Sequence, residues 1–204
     1  NNVTSFSAKT QSAKPLLFTP IKIRESVARN RIIASPMCQY LSVDGAPSDW
    51  QLMHLGRLAI GGCGIVFGEE TAVEPDGRKT HNCAGLYKQS HVASYRKITD
   101  MIKSNGALPA IQLGHSGRKG SCHNAVKDWK ALNKSDAANG LPPWQVMTPT
   151  SAVSPPRPIP HKEMDQDDIN RVIDDFRTAT KRSIDAGYEI AEIHGAHGYL
   201  IHQF

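Results

Sequence analysis

The sequence predicts an α/β fold in which helices cover a parallel β-sheet. Short apolar runs alternate with helical patterns, polar residues follow the runs, and the order along the chain is β-α-β-α-β-loop-α-β. About the first four β/α units of a (β/α)8 TIM barrel would have this order, and a whole barrel typically needs about 250 residues. An open doubly wound sheet is the alternative, but no predicted strand leads into the Gly-x-Gly-x-x-Gly turn of a dinucleotide-binding sheet.

The predicted elements are a strand at residues 31–37, a helix at 50–60, a strand at 64–68, a helix at 91–104, a strand at 108–113, a helix at 165–186 and a strand at 188–193. Pro36 stops the first strand because proline donates no backbone hydrogen bond. Asp49 is the predicted N-cap of the first helix, and a pair of glycines ends that helix. The second strand is the apolar run that precedes Glu69 and Glu70.

The second and third helices have apolar residues at helical spacing, and each of the last two strands follows a helix stop. Asn105 and Gly106 end the second helix, whereas Asp165 caps the third and Gly187 ends it. The segment 114–160 between the third strand and the third helix is polar and rich in proline and glycine. Loops of that length in a compact domain are usually functional lids or insertions.

Composition and charge exclude several classes of protein. The net charge is +5, but the 24 basic residues are scattered, so no nucleic-acid partner is expected. No apolar stretch approaches the roughly 20 residues of a membrane span, and residues 1–16 predict a flexible tail rather than a secretory signal. Four widely spaced cysteines indicate neither a disulfide framework nor a metal motif. A cytoplasmic protein without a membrane partner is therefore expected, with 17–204 as its folded domain.

Polar side chains cluster at the predicted strand ends, and the ends of parallel strands share one edge of the sheet. They are Cys38 and Tyr40 after the first strand, Glu69 and Glu70 after the second, Gln112 within the third, and His194, His197 and Tyr199 after the fourth. Each also has a structural interpretation: a buried thiol, solvated loop acids, or an amide that satisfies neighbouring backbone groups.

The pair His194 and His197 follows a strand and has no carboxylate or thiol beside it as a third metal ligand. No metal is therefore expected, and a zinc-dependent hydrolase is the weaker alternative. Two imidazoles can instead donate hydrogen bonds to one developing oxyanion. Tyr199 is protonated at neutral pH and can supply a proton. This set suits reduction or enolisation next to a carbonyl better than hydrolysis.

Several ordered motifs carry a resemblance to a known family. They are segments 17–23 and 30–33, Ser35-Pro36-Met37-Cys38-Gln39-Tyr40, Thr71-Ala72-Val73-Glu74-Pro75-Asp76-Gly77-Arg78, segment 111–119, and the terminal segment 194–204. In these motifs the chain resembles the N-terminal half of the old yellow enzyme family, the FMN-dependent NAD(P)H:flavin oxidoreductases or ene reductases. The Pro-Met-Cys and His-x-x-His forms are similar to those of the thermophilic-like bacterial branch.

The resemblance implies a TIM barrel with FMN at its C-terminal mouth and NAD(P)H as electron donor. The implied FMN-binding residues are Ser35, Pro36, Met37, Cys38, Glu70 and Gln112, with Cys38 tuning the flavin and Glu70 contacting it through its backbone. The implied substrate-binding residues are Tyr40, His194, Gly195, Ala196 and His197, and Tyr199 matches the proton donor. The implied substrate is an enone, enal or nitro compound, whose activated C=C bond is reduced. A homo-oligomer is expected when the protein is full length.

The chain departs from the family pattern at three points. Gly114 and Ser116 replace the more usual alanines around His115, and Glu70 stands where alanine is common, so its side chain is expected to point outward. The second half of the barrel, with the family's flavin-binding arginines, is absent from the sequence. We therefore expect a fragment that binds FMN weakly or not at all by itself. The alternative is a non-catalytic half-barrel that self-associates through its two open sheet edges.

Overall fold

The computed structural model describes residues 14–152 and 159–204. Its main sheet is parallel, with the order β3-β4-β6-β9, and the two-residue strand β5 extends it beside the end of β4. The strands are β1 (Ile21–Ile23), β2 (Ser26–Ala28), β3 (Ile33–Ala34), β4 (Ile65–Ala72), β5 (Ala84–Gly85), β6 (Leu108–Gly114), β7 (Val146–Thr148), β8 (His161–Glu163) and β9 (Ile190–Ile193). The helices are α1 (Asp49–Ile60), α2 (Val92–Ser104), α3 (Gln166–Asp185) and α4 (Leu200–Gln203).

Strand β4 is longer than the apolar run predicted. It continues through Glu69 and Glu70 to Ala72, and all eight of its residues are buried. The two acids are therefore not solvated loop residues, which corrects that interpretation. Polar residues are tolerated here because the Gln39 backbone amide and the Gln51 side chain donate to Glu69, and Lys79 pairs with Glu70.

Two other strands are shorter than predicted. In the first strand only Ile33 and Ala34 pair with β4, because the chain leaves the sheet before Pro36. The last strand begins at Ile190, since the Tyr188 amide donates to Ser183 of the preceding helix. Residues 1–13 of the predicted tail lie outside the described residues, and a short 3-10 turn begins at Leu16.

The helix ends follow from local hydrogen bonds. Ser48, not Asp49, caps α1: its side chain and that of Gln51 form a reciprocal capping box, with Ser48 N donating to Gln51 Oε1 over 2.8 Å. Asp165 caps α3 as predicted. Gly187 then turns the chain with a φ of +89°, a left-handed conformation that glycine adopts without strain.

The core lies between the sheet and the helices that cover it. Leu55 and Ala59 of α1 and Ile98 and Ile102 of α2 pack against Val66 of β4. A second cluster joins the next strand to α2 and α3 through Tyr95, Ile111, Leu113, Ala179 and Tyr188. These clusters fix the strands side by side and hence fix the edge at which they end.

Residues 153–158 of the predicted loop 114–160 lie outside the described residues. The described part of the loop contains β7, which pairs with β8 in a separate two-stranded parallel sheet. Its Trp129 ring packs edge-on against Tyr40, with ring centroids 5.2 Å apart. The segment thus reaches the edge where the main strands end. Within 14–152 and 159–204, no helix has the length and apolar character needed to cross a membrane.

Candidate active site

The parallel register places polar residues in a row across the C-terminal edge of the sheet. Glu70 of β4 lies opposite Gln112 of β6, which lies opposite Glu192 of β9. The Gln112 amide Nε2 donates to Glu192 Oε1 over 2.6 Å. Since the strands are parallel, the segments that follow them meet beyond this row.

His194, His197 and Tyr199 form one ring cluster after β9. The ring centroid of His194 lies 5.0 Å from that of His197 and 4.9 Å from that of Tyr199, and both contacts are edge-to-face. Leu200 is buried directly after them, and its amide donates to the His115 carbonyl, which anchors the segment to the end of β6. The predicted convergence of these three side chains is therefore present.

Hydrogen-bond partners indicate how the two imidazoles share their protons. The Ala196 amide donates to His194 Nδ1 over 3.2 Å, so His194 carries its proton on Nε2 and donates it to His197 Nδ1, also over 3.2 Å. Burial lowers the pKa of His194, which favours the neutral ring. The N–H group of this pair that remains without an acceptor is then His197 Nε2, since no acceptor among the described residues lies within hydrogen-bond distance of it. An oxygen acceptor that took a hydrogen bond from both rings would have to replace the contact between them.

Two of the candidate residues have left-handed backbones. The φ angles of Tyr40 and His197 are +56° and +58°. A residue other than glycine pays roughly 1 kcal/mol or more for this conformation, and such strain concentrates at functional sites. The strain sets the direction of both side chains at the sheet edge.

Glu69 holds the segment that carries Cys38 and Tyr40. Its Oε2 accepts from the Gln39 amide over 2.8 Å, and its Oε1 accepts from Gln51 Nε2 over 3.0 Å. Burial raises the pKa of Glu69, and the hydrogen bonds from Gln39 and Gln51 oppose that rise. Glu69 therefore acts from the helix side of the sheet, as a support for the segment rather than as a reacting group.

Glu70 does not point outward, contrary to expectation. Its Oε2 accepts from Lys79 Nζ over 2.5 Å, and the two side chains are 4% and 5% exposed. Lys79 also donates to Cys38 Sγ over 3.3 Å, and its Nζ lies 4.9 Å from the Tyr199 ring centroid. Sequence reasoning missed this lysine. The available signal was an acid in an otherwise apolar strand, because a buried carboxylate needs a cationic or hydrogen-bonding partner.

Burial is the largest influence on the ionisation of the thiol and phenols around Lys79. It raises the pKa of Cys38 and of Tyr199, while the positive charge of Lys79 opposes both shifts. The pKa of Tyr40 is raised by burial as well. Burial of the ammonium is the largest single influence on Lys79 and lowers its pKa, but the nearby groups, Glu70 first among them, together outweigh burial and raise the pKa. Tyr199 is therefore protonated and Lys79 charged at neutral pH.

The residues assigned to FMN by resemblance carry polar and sulfur-containing groups that fit a flavin. Ser35 and Met37 are exposed just beyond β3, and Pro36, Cys38 and Gln112 are half-buried. Within the described residues no donor reaches the Gln112 carbonyl oxygen, which leaves an acceptor for a ring N–H. A thiol, a thioether and a free amide oxygen at one edge suit a polar heteroaromatic ring. The described residues contain no group of three or more His, Cys, Asp or Glu side chains that could hold a metal ion.

Comparisons with known proteins agree with this geometry. Residues 16–204 match the NADH:flavin oxidoreductase / NADH oxidase family. An NADH:flavin oxidoreductase of Gibberella zeae is 38% identical over 197 residues, which cover 95% of this chain and 46% of that protein. An NADPH dehydrogenase of Bacillus subtilis is 34% identical over 190 residues, which cover 92% of this chain and 50% of that protein.

Among solved structures, the old yellow enzyme from a Pichia species has a TM-score of 0.74 and 23% identity, over 91% of this chain and 47% of that one. This likeness shows the fold: the sheet of the described residues is part of a (β/α)8 barrel. The chain spans about half the length of the curated relatives it matches.

Proposed function

The chain belongs to the NADH:flavin oxidoreductase / NADH oxidase family, and we propose that the full-length protein is an FMN-dependent NAD(P)H oxidoreductase that reduces activated C=C bonds. The substrates are α,β-unsaturated carbonyl or nitro compounds. The observation that carries this proposal is the cluster of His194, His197 and Tyr199 at the C-terminal edge of the sheet, beside Cys38. Barrel enzymes place their chemistry at this edge.

FMN, when bound, would supply the redox chemistry, which is the transfer of two electrons from NAD(P)H to the alkene. Ser35, Pro36, Met37, Cys38 and Gln112 would hold the flavin, and Glu70 would contact it through its backbone. Cys38 would tune the potential of the bound flavin, because its half-buried thiol lies against the charge of Lys79.

The imidazoles bind the substrate oxygen. His197 offers its open Nε2 proton, and His194 offers its own once the substrate oxygen displaces the contact between the rings. Gly195 and Ala196 form the turn between them, and Tyr40 borders the substrate. Two donors on one carbonyl or nitro oxygen withdraw electrons from the C=C bond and stabilise the negative charge that forms during reduction.

Tyr199 donates the proton that completes the reduction. Its O–H bond breaks as a C–H bond forms at the α-carbon, and the electron pair stays on the phenolate oxygen. Tyr199 carries this proton at neutral pH, since the ordinary pKa of a phenol is about 10 and burial raises that of Tyr199 further. The histidines thus act on the oxygen of the substrate, and Tyr199 acts on its α-carbon.

Single substitutions in the full-length protein test these roles. His194→Ala and His197→Ala should weaken the binding of a phenolic ligand and slow alkene reduction by about 100-fold, the usual loss for one oxyanion donor. FMN content and the rate of flavin reduction by NAD(P)H should stay near the native values. His197→Asn is the matched control, since asparagine keeps a donor and tolerates the left-handed backbone. Unchanged rates of alkene reduction in both alanine variants would refute the proposal.

A further inference from the structure

The ion pair between Glu70 and Lys79 is unusual because it is almost completely buried. The two side chains are 4% and 5% exposed, and their charged atoms lie 2.5 Å apart. Removing two charges from water costs several kcal/mol per ion, and apolar residues of similar size are often equally stable in such places. Stability alone therefore does not account for charges at this position.

Only one of the two carboxylate oxygens of Glu70 has a hydrogen-bond donor. Its Oε2 accepts from Lys79, whereas no donor of the described residues reaches its buried Oε1. That oxygen lies directly over Gly114, where an added Cβ would come within 2.4 Å of it. Glycine at this position leaves the space in which the acid sits, so Glu70, Lys79 and Gly114 form one unit, named here the charge unit.

The charge unit places its cation against the groups that the proposed function uses. Lys79 Nζ lies 3.3 Å from Cys38 Sγ, 4.9 Å from the ring centroid of Tyr199 and 5.8 Å from that of Tyr40. Glu70 compensates the charge of Lys79, so the ion pair is neutral as a whole. Its ammonium nevertheless lies next to the thiol of Cys38 and the rings of Tyr40 and Tyr199. Such an arrangement acts on any negative charge that forms there.

We propose that Lys79 is a positioning residue whose ammonium, held in place by Glu70, stabilises the phenolate that Tyr199 becomes when it gives its proton to the substrate carbon. The Tyr199 O–H bond breaks, the C–H bond forms, and the electron pair remains on the oxygen beside the ammonium. Water then returns a proton to the phenolate. The same cation favours the thiolate form of Cys38. The catalytic step rests on the proposed function, but the effect of Lys79 on the two ionisations does not.

Other charged and titratable groups also face this place. Those that act on Tyr199 are Lys79, Glu70 and Cys38, together with Lys119, whose Nζ lies 5.6 Å from the ring centroid, and the rings of His194 and His197. Those that act on Lys79 are Glu70, Cys38, Cys83 and Tyr199, and those that act on Cys38 are Lys79, Glu70 and Glu69. Lys119 is exposed and also donates to the His197 carbonyl, so water screens its charge more than that of Lys79.

Removing the cation and removing the anion of the charge unit should shift the ionisations of Tyr199 and Cys38 in opposite directions. Lys79→Met removes the cation, so the ionisations of Tyr199 and Cys38 should move to higher pH. Glu70→Gln leaves the cation uncompensated and should move both to lower pH. Lys79→Arg should stay near the native protein. A purely structural role would disturb the site in the same way in both Lys79→Met and Glu70→Gln.

The full-length protein freed of FMN provides a readout that does not depend on activity. The rate of Cys38 alkylation by iodoacetamide is followed against pH, with Cys38→Ala subtracted, and the Tyr199 phenolate is followed by its ultraviolet absorbance, with Tyr199→Phe subtracted. Alkylation below the midpoint should fall at least about tenfold in Lys79→Met, the usual effect of an opposite charge at this range. Shifts of the same sign in Lys79→Met and Glu70→Gln, or no shift in either, would overturn the proposal.

The holoenzyme adds the catalytic readout, with 2-cyclohexenone as the probe. Lys79→Met should slow its reduction about tenfold or more and raise the solvent deuterium isotope effect, because proton transfer from a weaker acid becomes limiting. The double variant Glu70→Gln/Lys79→Met, a neutral pair that avoids a lone buried charge, should behave in the same way. A native rate in a folded double variant would overturn the catalytic part. A native holoenzyme that does not reduce the probe would instead refute the proposed function, and the ionisation shifts would still decide the role of Lys79.

Discussion

At position 114 the side chain is absent because the carboxylate of Glu70 fills the space beside it. A Cβ built on Gly114 would lie 2.4 Å from Glu70 Oε1 and 2.9 Å from its Cγ. The backbone of Gly114 lies in strand β6, where any residue is allowed, so the restriction is steric. Glu70 and Gly114, two separate departures from the family pattern, are therefore a single structural feature.

We expect Gly114→Ala to destabilise the protein by about 1–3 kcal/mol, the usual cost of overpacking a buried site. In the background of Glu70→Ala the same substitution should cost close to nothing, since the colliding atoms are gone. Urea unfolding of the four proteins of this double-mutant cycle measures the coupling. Equal costs in both backgrounds would show that the two positions are independent.

Single residues also show where sequence reasoning stops. The meeting of Cys38, Gln112 and His194 at one edge follows from parallel strands alone and could be predicted. The ion partner of Glu70 could not, because Lys79 follows β4 in an irregular segment and its position depends on the path of that segment. The hydrogen bond between His194 and His197 could not be predicted either, since sequence spacing does not determine ring orientation.

At the scale of elements, α1 shows how a helix start is decided by geometry. Ser48 and Asp49 are both good capping residues, but Ser48 has an extended backbone and exchanges hydrogen bonds with Gln51. We expect Ser48→Ala to lower the free energy of unfolding by about 1 kcal/mol. Asp49→Ala should cost less than about 0.5 kcal/mol, the contribution of one exposed acid to the helix dipole. Thermal unfolding compares them, and a larger loss for Asp49→Ala would contradict this assignment.

Glu74 connects three elements of the fold. It follows β4, accepts from His115 Nε2 over 2.8 Å after β6, and pairs with Arg171 of α3. Although burial favours the neutral acid, the contacts with His115 and Arg171 outweigh it and lower the pKa of Glu74 below 4.5. The stabilisation from these contacts is therefore present above pH 4.5 and is lost as the pH falls through the lowered pKa.

We expect Glu74→Gln to destabilise the protein by about 1 kcal/mol at pH 7, because the charged contacts with His115 and Arg171 weaken, while the 41% exposed Arg171 is screened by water and keeps Asp175 as a partner. The difference between the native protein and the variant should shrink as the pH falls below 4.5. Urea unfolding at pH 7 and at several pH values below 5 measures this difference. A difference that is independent of pH would mean that the charge of Glu74 does not contribute.

At the scale of the whole molecule, the alternation of strands and helices predicted a parallel sheet covered by helices and left an open doubly wound sheet as the alternative. The family resemblance implied a barrel, and the solved structures confirm that fold. Apolar periodicity located α1, α2 and α3 well because each presents one face to the sheet. The ends of β3, β4 and β9 were predicted poorly, since pairing with a neighbour decides where a strand ends. The small sheet of β7 and β8 joins distant short segments and leaves no periodic signal.

The main sheet has two unpaired edges within the described residues, β3 and β9. Apolar side chains are exposed on both, with Ile33 at 51% and Ile193 at 64%. Open edges with exposed apolar residues favour pairing with another chain. We therefore expect a polypeptide of residues 1–204 alone to self-associate in solution, through these edges.

Ile193→Lys should weaken that association, because burying a lysine against a second strand costs desolvation energy. The matched control is Ile184→Lys, since Ile184 is 66% exposed but lies on α3 rather than at the sheet edge. Sedimentation velocity over a range of concentrations should show a dissociation constant at least about tenfold higher for Ile193→Lys, equivalent to 1.4 kcal/mol. The control should match the native sequence. A monomer at every concentration, or equal weakening by both substitutions, would show that the edges do not mediate association.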